Sequence, residues 1–330
     1  MTPNRVRSAY LHGKSIDARS VYLRGKSINA RSVYLRGKSI DARSVYLYGS
    51  QILKTAGIES HLLDAQLLLM FVLDRDKTWL LGHPEHIVDD DSLARFNELI
   101  EKRAHACPVA YITNNREFFG LDFYVDERAL IPRPETEHVV EAAVSALGDS
   151  NAVVLDIGTG SGCIAVAIAK LCNAQVVACD ISDGALAVAK KNTAAHGVSD
   201  KITFIQADAF DDGSADAIRA AADGTIDMII SNPPYIETDD IATLPDTVKH
   251  YEPLTALDGG ADGLIFYRRI AELGISILPP GGVMILETGA GQAGAVSAIL
   301  NKNTYTNIHI IKDLAGIDRV VKCTKEGTHV

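Results

Sequence analysis

The stretch VVLDIGTGSGCIAVAIAKL, residues 153–171, changes character twice. An apolar, β-branched run reaches Ile157, then Gly158, Gly160 and Gly162 stand at alternate positions, and an apolar run rich in helix formers follows. A short β-rich run broken by glycines and continued by a helix is one strand–loop–helix unit. Glycine lets the backbone turn tightly and lie against a ligand, while the first turn of the helix presents N–H groups without intrahelical partners. The spacing predicts a strand over 153–157 whose carboxyl end faces a nucleotide-like ligand.

The alternation continues outward from this unit. QVVACD (175–180) precedes ALAVAKKNTAAH, KITFIQAD (201–208) leads to AIRAAA, and TIDMIIS (225–231) follows. A helix is expected near FYRRIAELGISIL, then a strand GGVMILE (281–287), a helix AGAVSAIL and two closing strands around NIHIIKD and DRVVKCT. This pattern implies an α/β fold, a mostly parallel sheet with helices on both faces. Ligands of such sheets bind beyond the strand carboxyl ends. Asp180 ends the second strand, where a carboxylate can accept from both hydroxyls of a ribose. Asp208 ends the third, where it or the backbone of Ala209 can meet an adenine edge. Any one of these acids also reads as a loop acid or a helix cap. Their placement at successive strand ends favours a cofactor site. The fingerprint of dinucleotide enzymes departs here, because Cys163 stands where a third small residue is required.

The fourth strand runs into IISNPPYIET, residues 229–238. Pro233 and Pro234 remove two backbone donors and fix φ, so no strand can continue through them. A planar NH2 group has two hydrogens; the Asn232 side-chain oxygen and the Pro233 carbonyl can take one each while Tyr235 packs on the plane. Such a grip holds a weakly nucleophilic nitrogen in line with an electrophilic methyl and favours the positive charge that develops on it. A rigid turn alone would explain the prolines but not the asparagine and tyrosine.

The rest of the composition narrows the class. Of 330 residues, 47% are hydrophobic, enough for one large and one smaller domain. The five cysteines form no C-x-x-C pair and read as buried small hydrophobes. No apolar run is long enough to span a membrane and no signal peptide is apparent, so a cytoplasmic location is expected. Residues 1–48 hold ten Lys/Arg and two Asp, which leaves 22 Lys/Arg against 40 Asp/Glu for the remainder. An acidic body argues against DNA as a partner. The basic segment repeats AYLHGKSIDARS, VYLRGKSINARS and VYLRGKSIDARS over residues 9–44. Each copy has little to bury, so residues 1–48 read as a disordered extension, with a contact to ribosomal RNA as the functional alternative. Residues 49–107 read as a helical recognition domain. Ser60 is placed to cap a helix that buries Leu62, Leu63, Ala65, Gln66, Leu69, Met70 and Leu73; Leu93, Phe96, Leu99 and Ile100 repeat the pattern. Residues 108–133 read as a β-hairpin linker, and 134–330 as the catalytic domain.

VVLDIGTGSGCIAVAIA, CDIS, QADAF and IISNPPYI resemble the motifs of class I S-adenosylmethionine-dependent methyltransferases that modify planar amino groups. The Asn-Pro-Pro-Tyr signature is shared by adenine-N6 and protein glutamine-N5 enzymes. REFFGLDFYVDERALIPRPETE (116–137), YEPLTALDGGADGL (251–264) and DLAGIDRVV (313–321) make the chain similar to the bacterial release factor glutamine methyltransferases, from about residue 50 onward. That resemblance implies a seven-stranded class I methyltransferase fold. It implies methyl transfer from S-adenosyl-L-methionine to the glutamine N5 of the Gly-Gly-Gln motif of class-1 peptide chain release factors. The alternatives are a ribosomal-protein glutamine methyltransferase and, more distantly, a nucleic-acid adenine methyltransferase. Carried over, the donor contacts fall on Gly158, Thr159, Gly160, Ser161, Gly162, Asp180, Ala209 and Asn232, beside Asp208 from the strand-end reading above. The acceptor falls on Asn232, Pro233, Pro234 and Tyr235, with Asn232, Pro233 and Tyr235 catalytic. Family members can carry an aromatic residue where Ala209 stands, and often a glycine where Asn114 stands. Asparagine tolerates the positive φ such a turn would need.

Overall fold

The computed structural model describes residues 40–211, 213–222 and 224–327, together with the backbone of Val21–Leu23 (β1) and Lys26–Ile28 (β2), which pair antiparallel. The expected disorder of the rest of the repeat lies outside the described residues. The chain divides after Ala106 into two compact units. Among the described residues no helix is long and apolar enough to cross a membrane, and no cluster of His, Cys, Asp and Glu could hold a metal ion.

In the N-terminal unit, Ile40–Asp41 (β3) leads into α1 (Ala42–Thr55), α2 (His61–Leu73), α3 (Lys77–Gly82), Ile87–Val88 (β4) and α4 (Asp90–Ala104). Helix α1 thus straddles the domain boundary expected at 48/49. Asp41 caps it by accepting from the Ser44 N–H at 2.8 Å, and Ala42, Val45 and Tyr46 are buried. A Cβ on Gly49 would lie 2.6 Å from Phe96 Cζ, so glycine is what lets α1 and α4 approach closely.

Helix α2 differs from its sequence reading. Leu62 and Leu63 are 42% and 48% exposed, and the buried residues are Asp64, Ala65, Leu68 and Leu69. The helix is apolar almost all round, so periodicity could not tell which leucines face inward. Nor does Ser60 cap it; its hydroxyl donates to Asp64 Oδ2 at 2.8 Å. Asp64 Oδ2 also accepts from Arg103 Nε of α4 at 2.7 Å, with both side chains 8% exposed.

The second unit opens with α5 (Val109–Thr113), whose end is turned by Asn114 at φ +52°. The asparagine holds the left-handed conformation and donates from Nδ2 to the Val125 carbonyl at 3.0 Å. Strands β5 (Arg116–Phe118) and β6 (Leu121–Phe123) form the expected hairpin. Phe118 and Phe123 are buried in the main core of this unit, so the segment read as a linker is part of the domain. Then come α6 (Glu137–Leu147), β7 (Val153–Ile157), α7 (Cys163–Leu171), β8 (Gln175–Asp180), α8 (Asp183–Ala195), β9 (Ile202–Gln206), α9 (Ser214–Ala221) and β10 (Met228–Ser231). After α10 (Asp246–Lys249) follow α11 (Ile265–Ile277), β11 (Val283–Glu287), α12 (Ala293–Lys302), β12 (Tyr305–Lys312) and β13 (Asp318–Lys325).

The seven strands β7–β13 make one sheet in the order β12-β13-β11-β10-β7-β8-β9. β13 runs antiparallel to both neighbours and the other pairings are parallel. Successive residues of a strand face opposite sides. Val154, Met228, Ile230 and Ile285 accordingly pack with α6 and α7, whereas Leu155, Ile229, Met284 and Leu286 pack with α11 and α12. Cys163, Cys172, Cys179 and Cys323 are buried as expected, and Cys107 is half-buried.

Removing one partner of a buried ion pair costs about 3–5 kcal/mol. Asp64→Ala is expected to cost the N-terminal unit about that much. The chain has one tryptophan, Trp79 in α3, so its fluorescence during denaturant unfolding reports that unit; an unchanged midpoint would contradict the assignment.

Candidate active site

The sheet changes winding direction between β7 and β10. The chain leaves β7 toward β8 on one side, while β10 returns on the other, so the loops after β7 and β10 diverge and leave a crevice at their carboxyl ends. Ser231 Oγ donates to the Ile157 carbonyl at 2.7 Å and ties the two strand ends together. A cavity of about 580 Å³ opens there, within the range of about 300–1,000 Å³ common for small-molecule sites. Its wall includes Gly158, Gly160, Asp180, Asp208, Ala209 and Asn232.

All three glycines of the loop have φ in the left-handed region, +71° at Gly158, +55° at Gly160 and +79° at Gly162. Side chains would strain each turn, and a Cβ on Gly162 would also meet Ala189 at 3.0 Å. Thr159 and Ser161 are buried behind the loop rather than facing the cavity. Thr159 Oγ1 donates to Asp156 Oδ2 at 2.7 Å, and the Ser161 carbonyl accepts from Asn192 Nδ2 at 2.8 Å. Burial pushes the Asp156 carboxyl up to about 7. Asp180 accepts from the Gly160 N–H on Oδ2 and the Ser182 N–H on Oδ1, each at 2.9 Å. Burial raises this carboxyl and the backbone donors oppose the shift. Each oxygen keeps a further lone pair for a hydroxyl.

At the far end, Asp208 Oδ1 accepts from the Phe210 N–H at 2.9 Å, and the Ala209 carbonyl accepts from Arg269 Nε. Phe210 and Phe266, which sequence reasoning passed over, also line the cavity as an edge-to-face pair with centroids 5.1 Å apart. They supply the aromatic wall that Ala209 lacks. Phe210 is adjacent in sequence, but Phe266 arrives from α11 and has no local signature.

Asn232, Pro233 and Pro234 border this cavity too. Asn232 and Pro233 also border a second cavity of about 200 Å³, with Tyr235, Arg133, Leu244 and Val248 among its walls. Tyr235 faces only this smaller space of the two. The backbone after the prolines is locked by a segment that sequence reasoning used only as a resemblance: Ile236 N–H donates to the Leu257 carbonyl at 3.0 Å and Gly259 N–H to the Ile236 carbonyl at 2.8 Å. A Cβ at Gly259 would lie 2.7 Å from Tyr235 Cα, so the close approach demands glycine. Gln292 Nε2 donates to the Tyr235 carbonyl at 2.9 Å. From the other side, Arg133 pairs with the buried Glu252 at 2.6 Å, which anchors the IPRPETE segment. Thr136 of that segment, 2% exposed, accepts from Asn232 Nδ2 at 3.1 Å.

Comparison with known proteins bears on this geometry. Residues 148–325 match the model of a methyltransferase domain, and residues 45–113 match the PrmC N-terminal domain. A release factor glutamine methyltransferase of Clostridium acetobutylicum is 38% identical over 278 residues, covering 84% of this chain and 95% of the relative. One of Geobacter sulfurreducens is 41% identical over 266 residues, covering 80% and 90%. The chain belongs to the release factor glutamine methyltransferase family. Among solved structures, the hMettl16 catalytic domain in complex with a MAT2A 3'UTR hairpin aligns at a TM-score of 0.52 and 18% identity, over 70% of this chain and 83% of that one, and attests the fold alone. The larger cavity suits the donor S-adenosyl-L-methionine: a glycine cradle, a carboxylate with spare lone pairs and an aromatic wall are all in place.

Two substitutions test the geometry. Asp180→Ala is expected to weaken S-adenosyl-L-methionine binding by about 1–3 kcal/mol, the scale of charge-assisted hydrogen bonds, as calorimetric titration would show. Gly259→Ala must push the Tyr235 backbone aside. A misplacement of about 1 Å costs on the order of a hundredfold in rate, so methyl transfer should fall by about that factor while the protein stays folded by circular dichroism. Wild-type turnover in Gly259→Ala would show that the close approach is unimportant.

Proposed function

We propose that this protein methylates the side-chain N5 of the glutamine in the Gly-Gly-Gln motif of class-1 peptide chain release factors, with S-adenosyl-L-methionine as donor. The observation that carries the reading is the pair of cavities that meet at Asn232 and Pro233. The larger is suited to a nucleoside, and the smaller is about the size of one planar side chain with Tyr235 on its wall.

The donor supplies an electrophilic methyl group on a sulfonium. What the protein contributes is position. Asp180 holds the ribose end, and the Phe210–Phe266 pair packs the base. On the other side, the Asn232 Oδ1 and the Pro233 carbonyl each accept one hydrogen of the glutamine amide. They direct its nitrogen toward the junction of the cavities and stabilise the charge that builds on it. Tyr235 supplies a flat apolar surface. Its phenol is pushed up to about 12, mainly by burial, so it stays neutral at physiological pH. The N-terminal unit offers exposed Leu47, Leu62 and Leu63 for contact with a protein substrate.

The direct test is mass spectrometry of a purified release factor after incubation with this protein and the donor. One added methyl on the Gly-Gly-Gln peptide is expected. Asn232→Ala should abolish most of it without unfolding the sheet, and Tyr235→Phe should be milder than Tyr235→Ala because the ring matters more than the hydroxyl. A methyl group on another residue, or full turnover in Asn232→Ala, would refute the reading.

A further inference from the structure

Adenine and hypoxanthine have nearly the same flat faces and opposite edges. Adenine carries an acceptor at N1 and an amino donor at C6; hypoxanthine carries a donor at N1 and an oxygen acceptor at C6. The aromatic wall of Phe210 and Phe266 stacks on either base, so any choice between them falls to the polar groups of the loop after β9.

That loop contributes Asp208 and Ala209 to the wall of the larger cavity, whereas Ser214 and Arg269 stand outside it. The Asp208 carbonyl accepts from Ser214 Oγ and from the Asp211 N–H at 3.0 Å, which engages both of its lone pairs. Arg269 of α11 donates from Nε to the Ala209 carbonyl and from Nη2 to the Asp211 carbonyl at 3.2 Å. In a trans peptide the C=O and N–H point in opposite directions. With its carbonyl held by Ser214 and Asp211, the Asp208–Ala209 peptide therefore aims the Ala209 N–H the other way. The next peptide is fixed at both ends, its carbonyl by Arg269 and its Phe210 N–H by Asp208 Oδ1 at 2.9 Å. Among the described residues the Ala209 N–H and Asp208 Oδ2 have no protein partner. One donor and one acceptor are left, the complement of the adenine edge and a mismatch at both positions of hypoxanthine.

We propose that Arg269 and Ser214 are positioning residues that make the donor site selective for an adenine base. By holding the Ala209 and Asp208 carbonyls away from the cavity, they leave the loop an N–H and a carboxylate oxygen to present. This inference rests on the placement of the donor in the reading above and adds the means by which its base is chosen. Phe266 stands three positions before Arg269 on α11, so one helix face delivers both the stacking ring and the guanidinium that sets the edge.

The test uses the full chain and needs no release factor. Calorimetric titration measures the affinity for S-adenosyl-L-homocysteine and for S-inosyl-L-homocysteine, which differ only at the base edge. The native protein should prefer the adenine compound by on the order of 100-fold, because hypoxanthine leaves two groups of the loop unpaired. Arg269→Met keeps a long apolar stem and removes both donors, which frees the Ala209 carbonyl to turn toward the base. Its preference should fall by on the order of tenfold, with the adenine compound weakened and the inosyl compound not. Arg269→Lys, which keeps a cationic donor, should lie between the two, and Ser214→Ala should lower the preference in the same direction. A role in packing alone would weaken both compounds equally and leave their ratio intact. An unchanged ratio in folded Arg269→Met and Ser214→Ala, or a native protein indifferent to the base, would overturn the inference. A ratio that falls as expected in a protein that leaves the release factor unmodified would uphold it and refute the functional reading instead.

Discussion

The hydrogen bond from Ser231 Oγ to the Ile157 carbonyl joins the ends of two strands that are 74 positions apart in the chain. It sits at the point where the sheet reverses its winding, with Ser231 in register with Ile157. The residue after Ile157 starts the glycine loop, and the residue after Ser231 is Asn232. Slipping this register by one residue would turn every side chain of β10 to the opposite face and carry the asparagine away from the loop. The buried apolar faces on both sides of the sheet make such a slip costly, so the hydrophobic core sets the distance between the donor and acceptor halves of the site.

Much of this was legible in advance, for a physical reason. A strand buried on both faces writes itself as a continuous β-branched run, and VVLDI and QVVACD correspond residue for residue to β7 and β8. The glycines and the acid of the donor side lie at the ends of such strands, where local patterning places them. Contacts between distant segments leave no such trace. Thr136 meets Asn232 across 96 positions, and Gly259 reads as one glycine among 26 until the Tyr235 backbone is seen against it. Thr159 and Ser161 lie in the expected loop but turn inward, because a motif specifies backbone positions more firmly than side-chain directions. Helix α2 shows the converse: an apolar surface on all sides erases the periodicity that would have named its buried face.

The acceptor side is held by a close backbone approach and by side chains that reach it from distant segments. Gly259 packs on the chain after the prolines, Gln292 holds the Tyr235 carbonyl, and the Arg133–Glu252 pair pins the segment that carries Thr136. These supports come from the segments before α6, before α11 and between β11 and α12. A cavity so built takes its geometry from the surrounding loops as a group.

Asn232 and Pro233 stand in the walls of both cavities. A shared wall is a thermodynamic link. Whatever free energy an occupant of one cavity contributes toward holding Asn232 in its working orientation is felt by the occupant of the other, and by linkage the two effects are equal in both directions. A protein substrate that meets the enzyme with its donor already in place would then encounter an ordered grip, and departure of the spent donor would loosen it. The two substrates therefore sense each other through the wall that their cavities share, Leu130, Asn232, Pro233 and Ala256.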